Sequence, residues 1–116
     1  MSERPVKIIL QDILEAIEKI IIYTNGMDEE QFMANQLVKD AVIRNLEIIG
    51  EATNRLPEDF FAKYHEVEWH KIVSMRNRLI HGYFDVNERI VWITVTKFIV
   101  PLKEQLTKIL KKDLQE

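Results

Sequence analysis

The chain has 116 residues, 47% hydrophobic and 30% charged, which fits one domain over 1–116 and excludes a fibre or a disordered polar tail. A formal net charge of −3 excludes a broadly basic nucleic-acid coat, so contact with a polyanion has to come from a local cluster. The lack of cysteine excludes disulfides, thiolate metal sites and a Cys nucleophile and points to a reducing cytoplasm, while no apolar run reaches the ~18 residues of a membrane span and MSERPVKIIL carries no secretory signal.

Three Gly and three Pro are too few for the turns of an all-β domain, so the pattern predicts an all-α protein. The first helix is predicted from Pro5 to Tyr23. Proline suits its first turn, and Val6, Ile9, Leu10, Ile13, Ile17, Ile20 and Ile21 recur at three- and four-residue steps. Asn25-Gly26 ends it. A second, long helix is predicted from Asp28 to Arg55, opened by Asp28 with Gln31 three residues on. Its expected core stripe is Ala34, Leu37, Val38, Ala41, Ile48, Ile49, Ala52 and Leu56. Val42, Ile43 and Leu46 widen the apolar surface beyond one face, which suggests burial on two sides, one of them against a partner. Gly50 removes bulk in its middle.

Leu56-Pro57 breaks the pattern, and Pro57-Glu58-Asp59 opens a short helix through Tyr64. After a connector at 65–68, a helix is predicted from Trp69 to Ile80, with Gly82 just past its end. The last segment, from Asn87 to Leu114, is β-branched at Ile90–Thr96. Helical spacing of Val95, Phe98, Ile99, Leu102, Leu106, Ile109 and Leu110 predicts one long helix, capped by Asn87 and kinked at Pro101.

The segment from Trp69 to Tyr83 breaks its own pattern. Trp69, Ile72, Val73, Leu79 and Ile80 form an apolar stripe whose middle position is Arg76. A guanidinium there needs a partner or a wet cleft. The second helix offers Asp40, Arg44, Glu47 and Glu51 along one stripe. Arg76 is thus either a structural ion-pair partner of Glu47 or Glu51, or a functional cation. Pairs within the helix, Arg44 with Asp40 or Glu47 and Arg55 with Glu51, are also open.

His81 stands at the end of the motif helix, where the dipole favours its imidazolium form. Beside an Arg it suits phosphate chemistry, the cation balancing charge on a phosphoryl oxygen while the His moves a proton. The plainer reading is a helix cap. Tyr83 follows two residues on, and Asn77 and Arg78 are expected to face away from Trp69. His65 and His70 stand five apart, which misses the one-face spacing of a zinc helix, so no metal ligand set is predicted. There is no glycine-rich phosphate loop and no nucleophile elbow.

Met75-Arg-Asn-Arg-Leu-Ile-His-Gly-Tyr-Phe84 resembles the Arg-x4-His-x-Tyr signature of the HepT-like proteins of the HEPN (higher eukaryotes and prokaryotes nucleotide-binding) superfamily. Val42-Ile-Arg-Asn-Leu-Glu-Ile-Ile-Gly-Glu-Ala52 is similar to the same family, and the resemblance covers essentially the whole chain. It implies an antiparallel bundle of four main helices plus a short helix that forms homodimers. It further implies a metal-independent ribonuclease without cofactor, acting on RNA and not on DNA or membranes, as the toxin of a toxin–antitoxin pair. Arg76 and His81 are then catalytic. Tyr83 is the residue to which a minimal nucleotidyltransferase (MntA-like) antitoxin transfers AMP. Asn77, Arg78, Glu47, Glu51 and Arg44 are supporting candidates. The acidic–basic pair of an earlier helix falls on Glu51 and Arg55 or on Asp40 and Arg44. A noncatalytic nucleotide- or substrate-binding module for a nucleotidyltransferase is the alternative.

Overall fold

The computed structural model describes residues 5–81 and 87–113, and the side chains of all of these except Ile80, His81 and Asp113. No strand occurs among the described residues. Helix α1 spans Val6–Thr24 behind Pro5 and buries Ile9, Leu10, Ile13, Ala16, Ile17 and Ile20. It ends at Asn25, and Gly26 takes a positive φ of 79°, a conformation that glycine reaches at little cost.

The predicted second helix is two helices. Helix α2 covers Glu29–Ala34, opened by the reciprocal capping of Asp28 and Gln31. Asn35 then leaves helical conformation at φ −109° and ψ 92°, and its side chain accepts from the Val38 amide to start α3, Gln36–Thr53. The break resets the helical phase. Leu37, expected in the core, is 81% exposed, and Ala34 is also exposed. Val38, Ala41, Ile48 and Ala52 are only half-buried, and the inner stripe of α3 is Val42, Leu46, Ile49, Gly50 and Thr53. An Asn that caps one helix while ending another carries no periodicity, so spacing alone reads through it.

Helix α4, Glu58–Lys63, begins after Pro57 with Glu58 and Asp59 in its first turn, as predicted. Phe60, Tyr64 and Trp69 form an aromatic cluster beneath it, with ring centroids 4.7 and 5.7 Å from Phe60. Helix α5 spans Trp69–His81 and α6 spans Glu88–Ile93, the latter capped by Asn87, which accepts from the amides of Arg89 and Ile90. A π-helical segment follows at Thr94–Phe98, and α7 runs over Ile99–Asp113.

The irregularity of the last segment therefore lies one turn before Pro101, not at it. Pro101 has no amide hydrogen, and its ring crowds the carbonyl four residues back, that of Lys97. Lys97 lies within the π turn. Widening the helix there makes room for the ring.

Helix α3 is central, packing against both α1 and α5, while α7 returns along α1. These four long helices make the bundle, with α4 as the short addition and α2 lying against α3 and α6. An apolar crevice of about 290 Å³ separates α5 from the π segment and α7, floored by Leu46 and Ile49. Cross-links secure α6, among them Phe32 of α2 packed at a tilt against Trp92 at 5.1 Å and the buried Lys39 of α3 paired with Glu88 at 3.1 Å. No described helix is long and apolar enough to cross a membrane.

Candidate active site

Entry into α5 is fixed by the Trp69 ring nitrogen, which donates to the Tyr64 carbonyl at 2.9 Å. With Trp69, Ile72 and Leu79 buried, the phase of the helix turns Arg76 toward α3. The residue it meets there is Gly50. A Cβ at position 50 would overlap the Cβ and Cγ of Arg76 and would stand 3.3 Å from the Ile72 carbonyl oxygen. The missing side chain of α3 is therefore the space through which the Arg76 stem passes. The sequence marks Gly50 as a loss of bulk, and the structure supplies what fills it.

Beyond that crossing the guanidinium reaches the edge of α3. Its Nη1 donates to Asn77 Oδ1 at 3.1 Å, and its Nη2 lies 3.7 Å from Glu51 Oε2. Its Nε is buried without a hydrogen-bond partner among the described residues. The side chain is 26% exposed, and Glu51 is more open than that. Among the described residues Arg76 is consequently held at its stem but neutralised only weakly at its head. One long contact there to a partly solvated carboxylate leaves charge and donor capacity available at the surface.

The two partners proposed for Arg76 are now distinguished. Glu51 faces it, whereas Glu47 is taken by Arg44 at 3.3 Å, one turn back on the same helix. Among the described residues Asp40 accepts from Gln36 at 2.8 Å and makes no ion pair with Arg44. Of the two acidic–basic pairs, only Glu51 adjoins Arg76, and it turns to that residue across the helix crossing. Asn77 and Arg78 are exposed, as their phase opposite Trp69 requires. His81 is the last residue of α5, one position beyond the predicted end. Gly82 and Tyr83 lie outside the described residues. Among the described residues no group of three or more His, Asp or Glu could hold a metal ion.

Sequence reasoning overlooked two residues. Lys39 is buried and ties α3 to α6, and its place three and seven residues before Val42 and Leu46 was the available signal. Thr53 is fully buried in the core. Its place four and seven residues after Ile49 and Leu46 was the available signal.

The family model described as ribonuclease HepT-like matches residues 13–109. This chain belongs to the HepT-like ribonuclease family. It is 42% identical over 116 residues to the candidate RNase MJ0125 of Methanocaldococcus jannaschii, covering 100% of this chain and 99% of that one. It is 43% identical over 102 residues to a protein of Thermococcus cleftensis named probable ribonuclease HepT, covering 88% of this chain and 93% of that one. In a third relative, named gamma-glutamylcyclotransferase and candidate RNase MJ0434, the match is 43% identical over 94% of this chain but only 49% of the longer protein. No solved structure matches this chain.

Proposed function

We propose that this HepT-like chain is a metal-independent endoribonuclease whose catalytic residues are Arg76 and His81. It acts as the toxin of a toxin–antitoxin pair in the cytoplasm. The observation that carries the reading is Arg76. A cation is built through a glycine-sized gap in the bundle, yet its head is only weakly paired with Glu51. A purely structural ion pair would close that head with a bidentate carboxylate.

RNA supplies the nucleophile. The 2′-oxygen attacks the adjacent phosphorus, a base takes the 2′ proton, and an acid protonates the departing 5′-oxygen. The products are a 2′,3′-cyclic phosphate and a 5′-hydroxyl end. Arg76 stabilises the negative charge of the pentacoordinate centre, and His81 moves protons. One chain carries one motif histidine, so base and acid come from two copies of a homodimer related by a two-fold axis. Asn77 orients the Arg76 head, and Glu51 sets its position, with Arg44, Glu47 and Arg78 around it.

Silencing comes from the antitoxin, a minimal nucleotidyltransferase. It transfers AMP from ATP to the Tyr83 oxygen, releasing pyrophosphate. The adenylate phosphate then competes for the cation that the RNA phosphate needs.

The test is cleavage of RNA by purified protein in EDTA. Wild type should cut, and the well-folded Arg76→Ala and His81→Ala proteins should not. Absence of cleavage by wild type, together with nucleotide binding that Arg76→Ala abolishes, would favour the noncatalytic module. Cognate nucleotidyltransferase with ATP and Mg²⁺ should add AMP mass to wild type and none to Tyr83→Phe. Modification elsewhere would overturn the assignment of Tyr83.

A further inference from the structure

Helix α5 packs mainly on α3 and α7 mainly on α1, and the gap left between them is the apolar crevice of about 290 Å³. A lysine stands on each of its walls, Lys71 near the start of α5 and Lys97 in the π segment. Both are exposed, which places their charges at the rim. Beyond the two lysines, Thr94 is the one polar lining residue, and its hydroxyl donates to the Ile90 carbonyl at 2.8 Å. The side chains of the walls thus keep no free donor below the rim. The π turn supplies Thr94, Lys97 and Phe98 of the lining, and such turns recur at functional sites.

We infer that this crevice is a binding site for a small amphipathic anion, an unbranched apolar chain that ends in a carboxylate. Size, polarity and charge select that class. The volume stands at the lower end of small-molecule pockets, about 300 Å³, which suits a single chain and not a two-chain lipid. The apolar walls give the sugar and base of a nucleotide no partner, whereas a hydrocarbon chain needs none. The mouth is cationic. Lys97 makes no ion pair among the described residues. Lys71 is held by Glu68 at 3.2 Å, an exposed pair that a ligand carboxylate can replace at little cost.

The chain of such a ligand lies over Leu46 and Ile49, with Met75 on one wall and Phe98 on the other, and its carboxylate stays at the rim with the two lysines. Met75 is half-buried, and its flexible thioether can shift to fit the chain. The crevice shares α5 with Arg76, but none of the residues assigned above to RNA cleavage is among its described lining. The inference therefore stands apart from the ribonuclease reading.

Octanoate is the probe, titrated into the full chain and followed by calorimetry and methyl NMR. Binding should saturate at about one per chain, with shifts at Ile72, Ile93 and Ile99 and none at Ile9, which lines the groove between α1 and α3. From hexanoate to decanoate, each added methylene should tighten binding about fourfold, the transfer free energy of one buried CH₂. Neutral 1-octanol should shift the same methyls and bind more weakly. Lys97→Glu should weaken octanoate at least about threefold and leave 1-octanol unchanged. Lys108→Glu, an exposed charge outside the crevice, should alter neither. Both lysines are exposed, so these variants keep the fold, which circular dichroism checks. Affinity independent of chain length, shifts confined to other surfaces, or octanoate binding untouched by Lys97→Glu would overturn the inference. Capture by phosphatidylglycerol vesicles without binding of octanoate would overturn it in favour of a lipid surface.

Discussion

Arg76 and Gly50 are one device made of two residues. The side chain that α3 lacks is the volume that α5 uses, so restoring it strikes the site before it strikes the core. A Cβ at position 50 meets the stem of Arg76 close to its backbone, where no flexible end can swing aside. Gly50→Ala should therefore destabilise by about 1–3 kcal/mol through overpacking and should displace Arg76. Activity should fall more than stability explains, which denaturant titration and cleavage assays on the same sample would reveal. Arg76→Ala is expected to abolish cleavage and yet keep the fold within about 1 kcal/mol. It removes a buried Nε that has no hydrogen-bond partner among the described residues, and the partner it leaves, Glu51, is partly open to water. A large loss of thermal stability in Arg76→Ala would return this residue to a structural role. Thr53 gives the matching test in the core. Its hydroxyl is buried without a hydrogen-bond partner among the described residues, so Thr53→Val should stabilise by about 1 kcal/mol, seen as a higher melting temperature with unchanged cleavage.

Among the elements, the joins decide more than the helices. Asn35 sets the phase of α3 and so chooses which residues face the bundle and which face outward. Asn35→Ala removes the acceptor of the Val38 amide and should cost about 1 kcal/mol. It should also favour a continuous α2–α3 helix, detectable as slower exchange of the amides at 35–38. Helix α6 depends on α2 and α3 for its position. Lys39 brings a buried stem and a charged head to Glu88, and Glu29 reaches Arg89 at 3.9 Å on the exposed side. Lys39→Met keeps the stem and deletes the charge. Since Glu88 is open enough to be solvated, the loss should be small, under about 1 kcal/mol, whereas Lys39→Ala should cost more by emptying packed space. Equal stability of the Met and Ala variants by denaturant titration would show that packing of the stem contributes nothing. The π segment belongs to the same scale, since it places Thr94 and Val95 inward one turn ahead of Pro101.

At the scale of the molecule, the bundle presents its candidate site on one flank. The head of Arg76 emerges at the edge of α3 beside Glu51. In the proposed homodimer, the acid and base work that one motif histidine per chain cannot do is divided between two copies. Mixed dimers test this division. Wild-type chains mixed with an excess of His81→Ala chains should lose cleavage beyond simple dilution, because a mixed dimer holds one His81 where two are needed. Activity that falls only in proportion to the wild-type fraction would mean that each chain works alone.

The sequence by itself determined the helical class, the short helix behind Pro57, the caps at Asp28 and Asn87, and the Arg-x4-His-x-Tyr motif at the end of a helix. Each of these is local. A proline, a capping side chain or a run of neighbours acts within a few residues, so its signal survives in the order of the chain. The tertiary structure alone decided which face of α3 is inward, because the phase set at Asn35 has no counterpart in hydrophobic spacing. It also decided that Glu51 and not Glu47 meets Arg76, that Gly50 is the gap through which Arg76 passes, and that Lys39 is buried against Glu88. Those are relations between residues 25 to 49 positions apart, fixed by how helices cross. Spacing along one helix specifies a face, but only the packing of two helices specifies what that face touches.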